Sequence, residues 1–272
     1  MEKPRALPTE IDLSRPSAAR VYDYFLGGAH NFEIDRQLAE QIAAMTPNLA
    51  DTMRAGRAFL RRAVAELARG GIDQFLDIGS GIPTVGNVHE VAQGINPQAR
   101  IVYVDVDPVA VAHSRSILDG NEGTAVIQAD LRDPAHILAE AGATHLIEFD
   151  RPVAVLLAGV VHFVPDDDRP DEILKTLRDA VAPGSYLVIS HSTYEDQPRE
   201  MLEAQKLSAK TATEITLRSR AQVADYFGDW ELLEPGIVHM PLWRPESPDD
   251  VDANPERFGA FGAVGRKPVT TG

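Results

Sequence analysis

The chain has 272 residues and no cysteine, and its 41 acidic side chains against 26 lysines and arginines give it a net charge of −15. A surface this negative repels a phosphate backbone, so we expect no nucleic-acid partner. The lack of cysteine excludes disulfide bonds, thiolate zinc sites and a cysteine nucleophile.

The first residues do not match the pattern of a secretion signal. Residues 1–13 are rich in proline and charge and lack the apolar core of a secretion signal, so we expect a flexible arm. No run in the chain reaches the roughly 18 apolar residues that cross a bilayer. We therefore expect a cytoplasmic protein without a membrane partner.

Residues 14–71 are predicted to form an N-terminal helical cap. Ser14 and the proline two residues later are typical of a helix start, and the glycine pair at 27–28 ends this helix. A second helix is predicted over 33–45, and the helical spacing of apolar residues predicts a third over 50–69.

Two features of this cap suggest ligand contacts. Arg54, Arg57 and Arg61 share one face of the third helix. An arginine there could hold a ligand carboxylate, either the methionyl carboxylate of a cofactor or that of an acidic substrate. Alternatively, the three side chains form a solvated face. Tyr22 and Tyr24 of the first helix either fold over a ligand crevice or pack in a core.

From residue 72 onward, strands and helices alternate, which predicts right-handed crossovers and a parallel α/β sheet. A polar helix over 197–210 and a shorter one over 219–227 follow. Two late strands near 230–240 and 258–265 have no helix between them, so we expect them to pair antiparallel at one edge. The earlier strands are predicted at 74–78, 101–105, 124–128, 153–158 and 185–190.

The first strand ends in a glycine turn that indicates a nucleoside site. Gly79 and Gly81 flank Ser80 and allow a closeness to ligand that a β-carbon would block. Asp77, just before the turn, can anchor it or reach the amino group of an amino-acid ligand. A dinucleotide fingerprint needs a further glycine three residues after Gly81, but the next one is Gly86. The turn therefore favours S-adenosylmethionine over a dinucleotide, with a plain structural turn as the alternative.

Acidic residues follow the second and third strands. Asp105 ends the second strand, where a carboxylate can accept hydrogen bonds from ribose hydroxyls. Asp107 is a rival for this role, although its place before Pro108 better suits a helix cap. Asp130 ends the third strand and could accept a hydrogen bond from the adenine amine, with Leu131 covering the ring, or could cap a turn.

The end of the fourth strand offers a small surface and a histidine. A cofactor could lie against Ala158 and Gly159. His162 could act as a general base beside the methyl acceptor, or it is a packing or capping histidine. Further candidates on the acceptor side, which could instead cap the following helix, are His191, Tyr194 and Glu195.

A metal site is not expected, because the remaining histidines show no close ligand spacing. These histidines include His30, His89, His113, His136 and His145. The sequence also has neither a phosphate-binding P-loop motif nor the serine elbow of the α/β-hydrolases.

The order of these motifs resembles that of class I S-adenosylmethionine-dependent methyltransferases, and more narrowly that of the S-adenosyl methyltransferase family formerly called DUF574. The resemblance runs from about residue 14 to the C-terminus. It is carried by the strings 19–28 (ARVYDYFLGG), 74–84 (QFLDIGSGIPT), 102–108 (VYVDVDP) and 149–157 (FDRPVAVLL).

The resemblance implies a Rossmann-like α/β fold with a seven-stranded sheet, an antiparallel last strand and an N-terminal helical extension. It assigns 72–272 to the domain that binds S-adenosyl-L-methionine. At Gly56 the chain departs from the family, which usually has an asparagine there, and the glycine loosens the helix by roughly 1 kcal/mol. The implied cofactor contacts are Gly79, Ser80, Gly81, Asp105, Asp130 and Leu131.

The sequence therefore predicts a methyltransferase that uses S-adenosylmethionine on a small-molecule acceptor, which the residues do not identify. A binding protein that senses the cofactor or its demethylated product without turnover is the main alternative. A nicotinamide-dependent oxidoreductase is disfavoured by the glycine spacing.

Overall fold

The computed structural model describes residues 15–46, 48–83, 86–197, 215–247, 249 and 251–269. The predicted arm over 1–13 and all but the first residue of the helix predicted over 197–210 lie outside these ranges. None of the described helices is long and apolar enough to cross a membrane.

Eight helices and eight strands make up the described structure, apart from short 3₁₀ turns. The helices are α1 (Ala18–Phe25), α2 (Glu33–Met45), α3 (Leu49–Arg69), α4 (Val88–Ile95), α5 (Pro108–Ile117), α6 (Pro134–Ala143), α7 (Pro170–Ala180) and α8 (Arg220–Asp225). The strands are β1 (Gln74–Ile78), β2 (Arg100–Asp105), β3 (Thr124–Gln128), β4 (Ala154–Ala158), β5 (Tyr186–Ser192), β6 (Glu231–Leu232), β7 (Val238–His239) and β8 (Ala260–Arg266).

The sheet has the order β3-β2-β1-β4-β5-β8-β6, and β7 also pairs with β8. Strands β1 to β5 are parallel, whereas β8 runs antiparallel to β5 from Tyr186 opposite Arg266 to Ser192 opposite Ala260. The strand order reverses between β1 and β4, and ligands of such sheets bind beyond the carboxyl ends of the strands at this point. The α/β fold with an antiparallel last strand is confirmed.

One late strand differs from the prediction. The single strand expected near 230–240 is two short strands, β6 and β7, both antiparallel to β8. Between them the chain turns at Gly236, whose φ is +82° and whose N–H donates to Leu233 O at 2.8 Å. Pro235 has no N–H to give to a ladder, so the strand breaks there and the sheet has eight strands rather than seven.

Helix α3 covers one face of the sheet. All five residues of β1 are buried, and they alternate between the two faces, so that Phe75 packs with α3 and Leu76 packs on the opposite side. Phe59 of α3 is fully buried against β8. A β-carbon built at Gly262 would lie 2.8 Å from the Phe59 ring, so only glycine fits beneath it. Burying a side chain of this size contributes about 1.5–3 kcal/mol.

A buried ion pair joins the two helices before α3. Arg20 Nε lies 3.0 Å from Asp35 Oδ2, and both side chains are almost fully buried. Asp35 also accepts hydrogen bonds from Ser17 N at 3.0 Å and from Phe32 N at 2.9 Å, so one carboxylate ties together the starts of α1 and α2. The predicted boundary between a helical cap and the α/β domain, at residues 71 and 72, stays a prediction. Helix α3 of the predicted cap packs directly on the sheet.

Candidate active site

The glycine turn after β1 contacts the end of β2 on one side and the segment after β4 on the other. Gly79 and Gly81 have φ values of +71° and +66°, which favour glycine. Val104 O in β2 accepts hydrogen bonds from Gly79 N at 2.8 Å and Ser80 N at 3.1 Å. A β-carbon built at Gly79 would lie 2.4 Å from a methyl group of Val160, so the segment after β4 touches the turn. At Gly81 a built β-carbon meets no described atom within 4 Å, which leaves open space beside the turn.

Asp105, at the end of β2, is bound to this turn. Its Oδ2 accepts a hydrogen bond from Gly81 N at 2.7 Å, and its Oδ1 accepts one from Asp107 N at 2.8 Å. Burial raises the pKa of Asp105, and these backbone hydrogen bonds oppose the shift. Each carboxylate oxygen has a second lone pair, so the group can still accept hydrogen bonds from a ligand.

Asp107 caps helix α5, as its place before a proline suggests. Its Oδ1 accepts hydrogen bonds from Val109 N at 2.7 Å and Ala110 N at 3.4 Å. The apolar residue before it, Val106, lies just beyond the strand predicted at 101–105 and belongs to no motif, so the sequence gives it no role. Its side chain is 58% exposed beside Asp105 at the ligand edge of the sheet.

The two residues after β3 have other contacts. Asp130 binds Arg132, whose Nε donates to the two carboxylate oxygens at 3.0 and 3.1 Å, and this arginine lowers the pKa of Asp130. Asp133 N also donates to the backbone oxygen of Asp130 at 2.9 Å, which closes a turn. Leu131 is buried in the core with Ile137. Contacts of Asp130 and Leu131 with adenine stay predictions.

Two residues of the N-terminal helices meet each other near the glycine turn. The guanidinium carbon of Arg57 lies 5.7 Å from the centre of the Tyr22 ring. Tyr22 Oη donates to Met53 O at 3.2 Å, and Arg57 Nη2 lies 3.5 Å from Ile82 O, just after the turn. These contacts join α1, α3 and the glycine turn.

Asp77 faces the same pair of residues from the end of β1. It is 3% exposed, and burial raises its pKa to about 7, with the charge of Arg57 opposing the shift and that of Asp105 adding to it. Burial also raises the pKa of Tyr22, where Arg57 and Asp77 exert opposite effects. The structure thus brings together Tyr22, Arg57 and Asp77, which are 55 positions apart at most in the sequence.

The other residues considered on the helical cap lie elsewhere. Arg54 is 61% exposed and pairs with Asp51 at 2.8 Å, as a solvated side chain does. Arg61 approaches the loop beyond the turn, where a β-carbon at Gly86 would lie 2.9 Å from its Cδ. Tyr24 packs in the small apolar cluster of α1 and α2.

On the side where the sequence predicts the methyl acceptor, Gly159 follows Ala158 at the end of β4 with a φ of +76°. A β-carbon at Gly159 would lie 3.8 Å from His162 Cε1. His162 Nδ1 is 3.5 Å from Ser192 Oγ. Burial lowers the pKa of His162 to about 3, and the nearby His191 adds to this effect. The imidazole is therefore neutral near pH 7 and a weak base.

The three candidates after β5 differ in exposure. His191 is fully buried, and burial lowers its pKa to about 4. Its Nδ1 donates to Ser192 O at 2.7 Å, so it does not face a ligand. Tyr194 is 43% exposed. Glu195 Oε1 accepts a hydrogen bond from Arg220 N at 2.9 Å, at the first residue of α8. Among the described side chains, no group of three potential ligands is arranged to hold a metal ion.

The strand order, the antiparallel β8 and the glycine turn bound to Asp105 define a class I methyltransferase fold. The chain belongs to the S-adenosyl methyltransferase family, whose model matches residues 4–268. No curated protein sequence matches it.

Two solved structures are similar over almost the whole chain. One is a candidate methyltransferase from Thermobifida fusca, with 42% identity and a TM-score of 0.89 over 95% of this chain and 97% of that one. The other is a DUF574 family protein from Streptomyces avermitilis, with 38% identity and a TM-score of 0.89 over 95% of this chain and 100% of that one. An O-methyltransferase family protein from Burkholderia thailandensis shares the fold alone, at 14% identity and a TM-score of 0.54 over 95% of this chain and 66% of that one.

Proposed function

We propose that the protein transfers the methyl group of S-adenosylmethionine to a small-molecule acceptor. The observation that carries this proposal is the arrangement of charged groups on either side of one glycine turn. Arg57 and Asp77 lie on the side of the N-terminal helices, and Asp105 is bound to the turn on the side of β2. A ligand with an amino-acid end and a ribose would match both groups.

The amino-acid end fits the first group. Arg57 would bind the methionyl carboxylate, because a guanidinium is the natural partner of a carboxylate. Asp77 would accept hydrogen bonds from the α-amino group, whose positive charge favours the ionised carboxylate. Tyr22, against Arg57 at 5.7 Å, would hold the guanidinium in place.

The nucleoside end fits the second group. Asp105 would accept hydrogen bonds from the ribose hydroxyls with the lone pairs that the turn leaves free. Gly79, Ser80 and Gly81 would form the turn that the ligand approaches, at the open space beside Gly81, whereas at Gly79 the β-carbon position is taken by Val160. The exposed Val106 side chain offers an apolar surface for the adenine ring.

Five further residues would border the ligand without binding its charged groups. They are Asp107, Asp130, Leu131, Ala158 and Gly159. Asp107 caps the start of α5, which would lie beside the ribose. Asp130 and Leu131 would border the adenine amine from β3. Ala158 and Gly159 would leave room for the ligand beside β4, because neither side chain projects beyond a methyl group.

Bound S-adenosylmethionine supplies a methyl group on a positively charged sulfur, which is already reactive towards a nucleophile. The protein's contribution would then be to hold the acceptor atom in line with that methyl group. His162 lies on the acceptor side and, being neutral, could accept a hydrogen bond from an acceptor hydroxyl or amine. The net charge of −15 disfavours a nucleic-acid acceptor, which supports a small molecule.

Binding is tested first by calorimetry with S-adenosylhomocysteine and with NAD. We expect saturable binding of S-adenosylhomocysteine and none of NAD. Binding of NAD alone would support an oxidoreductase and contradict the proposal. Binding of S-adenosylhomocysteine with no turnover of any acceptor would support the sensor alternative.

A further inference from the structure

A buried arginine that belongs to no sequence motif contacts the loop after β4, next to the predicted acceptor side of the site. Arg218 is 2% exposed. Its Nη1 donates to His191 Nε2 at 3.0 Å and lies 3.4 Å from Val161 O. Its Nη2 donates to Val164 O at 2.8 Å and to Asp166 Oδ1 at 2.6 Å. One guanidinium therefore contacts three residues of a single loop and the end of β5.

The backbone near Arg218 binds the same two regions. Arg218 N donates to Ser192 O at 3.2 Å, and Thr216 N donates to His162 O at 2.8 Å. The guanidinium carbon lies 5.6 Å from the centre of the Tyr226 ring. The segment 215–218 is thus fastened both to the end of β5 and to the loop after β4.

That loop, residues 160–166, forms a wall of the candidate active site. Val160 at its start touches the glycine turn, since a β-carbon at Gly79 would lie 2.4 Å from it. His162 in the same loop lies against Gly159. A shift of the loop would therefore move both the cofactor turn and the acceptor side.

The surroundings of Arg218 suggest that the planar shape of its guanidinium matters more than its ion pair with Asp166. Burying a charge costs several kcal/mol unless partners compensate it. The acidic partner Asp166 is 71% exposed, so the buried compensation comes from two carbonyl oxygens and the His191 nitrogen. A planar guanidinium can reach these acceptors at once with its five donors, whereas a lysine ammonium has only three donors at a single point.

We propose that Arg218 is a positioning residue for methyl transfer, because it fixes the 160–166 loop that forms the wall between the glycine turn and the acceptor. This inference extends the proposed function and depends on it for its catalytic meaning. The placement of the loop itself can be tested separately.

The experiment compares Arg218→Lys, Arg218→Met and Asp166→Asn with the full-length wild type. The matched control is Arg220→Met. Arg220 also packs on an aromatic ring, with 4.4 Å between its guanidinium carbon and the centre of the Phe261 ring, and it donates to Ile237 O. Circular dichroism selects a temperature at which each tested variant is folded. Calorimetry then measures the affinity for S-adenosylhomocysteine, and nitrogen NMR of the histidine side chains follows the titration of His162 and the tautomer of His191.

We expect folded Arg218 variants to bind S-adenosylhomocysteine about tenfold more weakly, a change of about 1.4 kcal/mol. In Arg218→Lys, which keeps the positive charge, His162 should titrate closer to the ordinary histidine range because a loosened loop admits water. In Arg218→Met the loss of this charge adds to the same shift, because the charge itself lowers the pKa of His162. Asp166→Asn should show a smaller change in the same direction, and Arg220→Met should lower only the melting temperature.

Wild-type affinity and an unchanged His162 titration in folded Arg218→Lys and Asp166→Asn would overturn the proposal. If both Arg218 variants fail to fold, the His162 titration in Asp166→Asn alone tests the proposal, and an unchanged titration would overturn it. If the wild type does not bind S-adenosylhomocysteine, the proposed function fails, and the His162 titration still tests whether Arg218 places the loop.

Discussion

The carboxylate of Asp105 accepts a hydrogen bond from the backbone N–H of Gly81 at 2.7 Å. This contact links the ends of two neighbouring parallel strands across the point where a nucleoside would lie. Asp105 is 7% exposed, and its carboxylate shapes the turn while keeping lone pairs that could accept further hydrogen bonds.

Asp105→Ala is expected to weaken binding of S-adenosylhomocysteine by about 1.5–3 kcal/mol, the range for hydrogen bonds that involve a charged group. Adenosine should lose affinity as well, because the ribose is common to both ligands. Calorimetry with the two ligands checks this, and Asp105→Asn keeps the shape of the side chain as a control. Unchanged affinity in Asp105→Ala would exclude the ribose contact.

Arg57→Ala should weaken binding of S-adenosylhomocysteine by about 1.5–3 kcal/mol and leave adenosine binding unchanged, because adenosine has no methionyl carboxylate. Arg54→Ala is the matched control, since Arg54 is on the same helix but 61% exposed. The difference between the two ligands in calorimetry separates a lost contact from a distorted site. Equal effects of the two substitutions would return Arg57 to a solvated or structural role.

The raised pKa of Asp77, about 7, predicts a pH-dependent stability. The folded state binds the proton of Asp77 more tightly than the unfolded state. The stabilisation of the folded state by protonated Asp77 is therefore fully present below the unfolded pKa near 3.8 and is lost as the pH rises to about 7. Asp77→Asn should remove this loss, so that its stability relative to the wild type increases over that range. Urea unfolding at a series of pH values measures the difference, and parallel pH profiles would contradict the pKa.

The same group predicts that cofactor binding depends on pH. A bound α-amino cation favours ionised Asp77, so the affinity for S-adenosylhomocysteine should rise as the pH increases from about 6 to 8, with release of a proton. Calorimetry in buffers of different ionisation enthalpy counts that proton. Asp77→Asn should bind with little dependence on pH in this range, and a wild type that also shows none would argue against the amino-group contact.

His162→Gln tests the possibility of a general base. Because the pKa of His162 is lowered to about 3, we expect this substitution to reduce turnover by less than about tenfold, short of the 10²–10⁴-fold loss typical of a general base. Initial rates with an acceptor found by metabolite screening measure the effect. A loss of more than about 10²-fold would make His162 a catalytic base after all.

The features predictable from the sequence are those encoded locally. The bounds predicted for β1 and β3 are those observed, because short apolar runs bounded by turn residues have few alternatives. The Asp-Pro cap of α5 and the conformation of the glycine turn also depend on adjacent residues. The family resemblance implied a seven-stranded sheet with an antiparallel last strand, but the strand order came only from the structure, because no local pattern determines it.

Residues whose roles depend on distant partners could not be found in this way. Arg218 follows no motif, and its partners at 161–166 and 191 come together only in the folded sheet. Val106 follows the predicted strand as an ordinary apolar residue, and only the structure shows that its side chain is exposed. For Arg54 and Arg57 the helical spacing is the same, and only the packing of α1 against α3 distinguishes them.

Methyl transfer itself is measured most directly with S-adenosylmethionine carrying an isotopically labelled methyl group. The protein is incubated with this compound and pools of small metabolites, and mass spectrometry follows S-adenosylhomocysteine and labelled products. We expect one labelled product to accumulate in equal amount with S-adenosylhomocysteine, and both to fall in Asp105→Ala. Tight binding of S-adenosylhomocysteine with no labelled product from any pool would contradict methyl transfer to a small molecule.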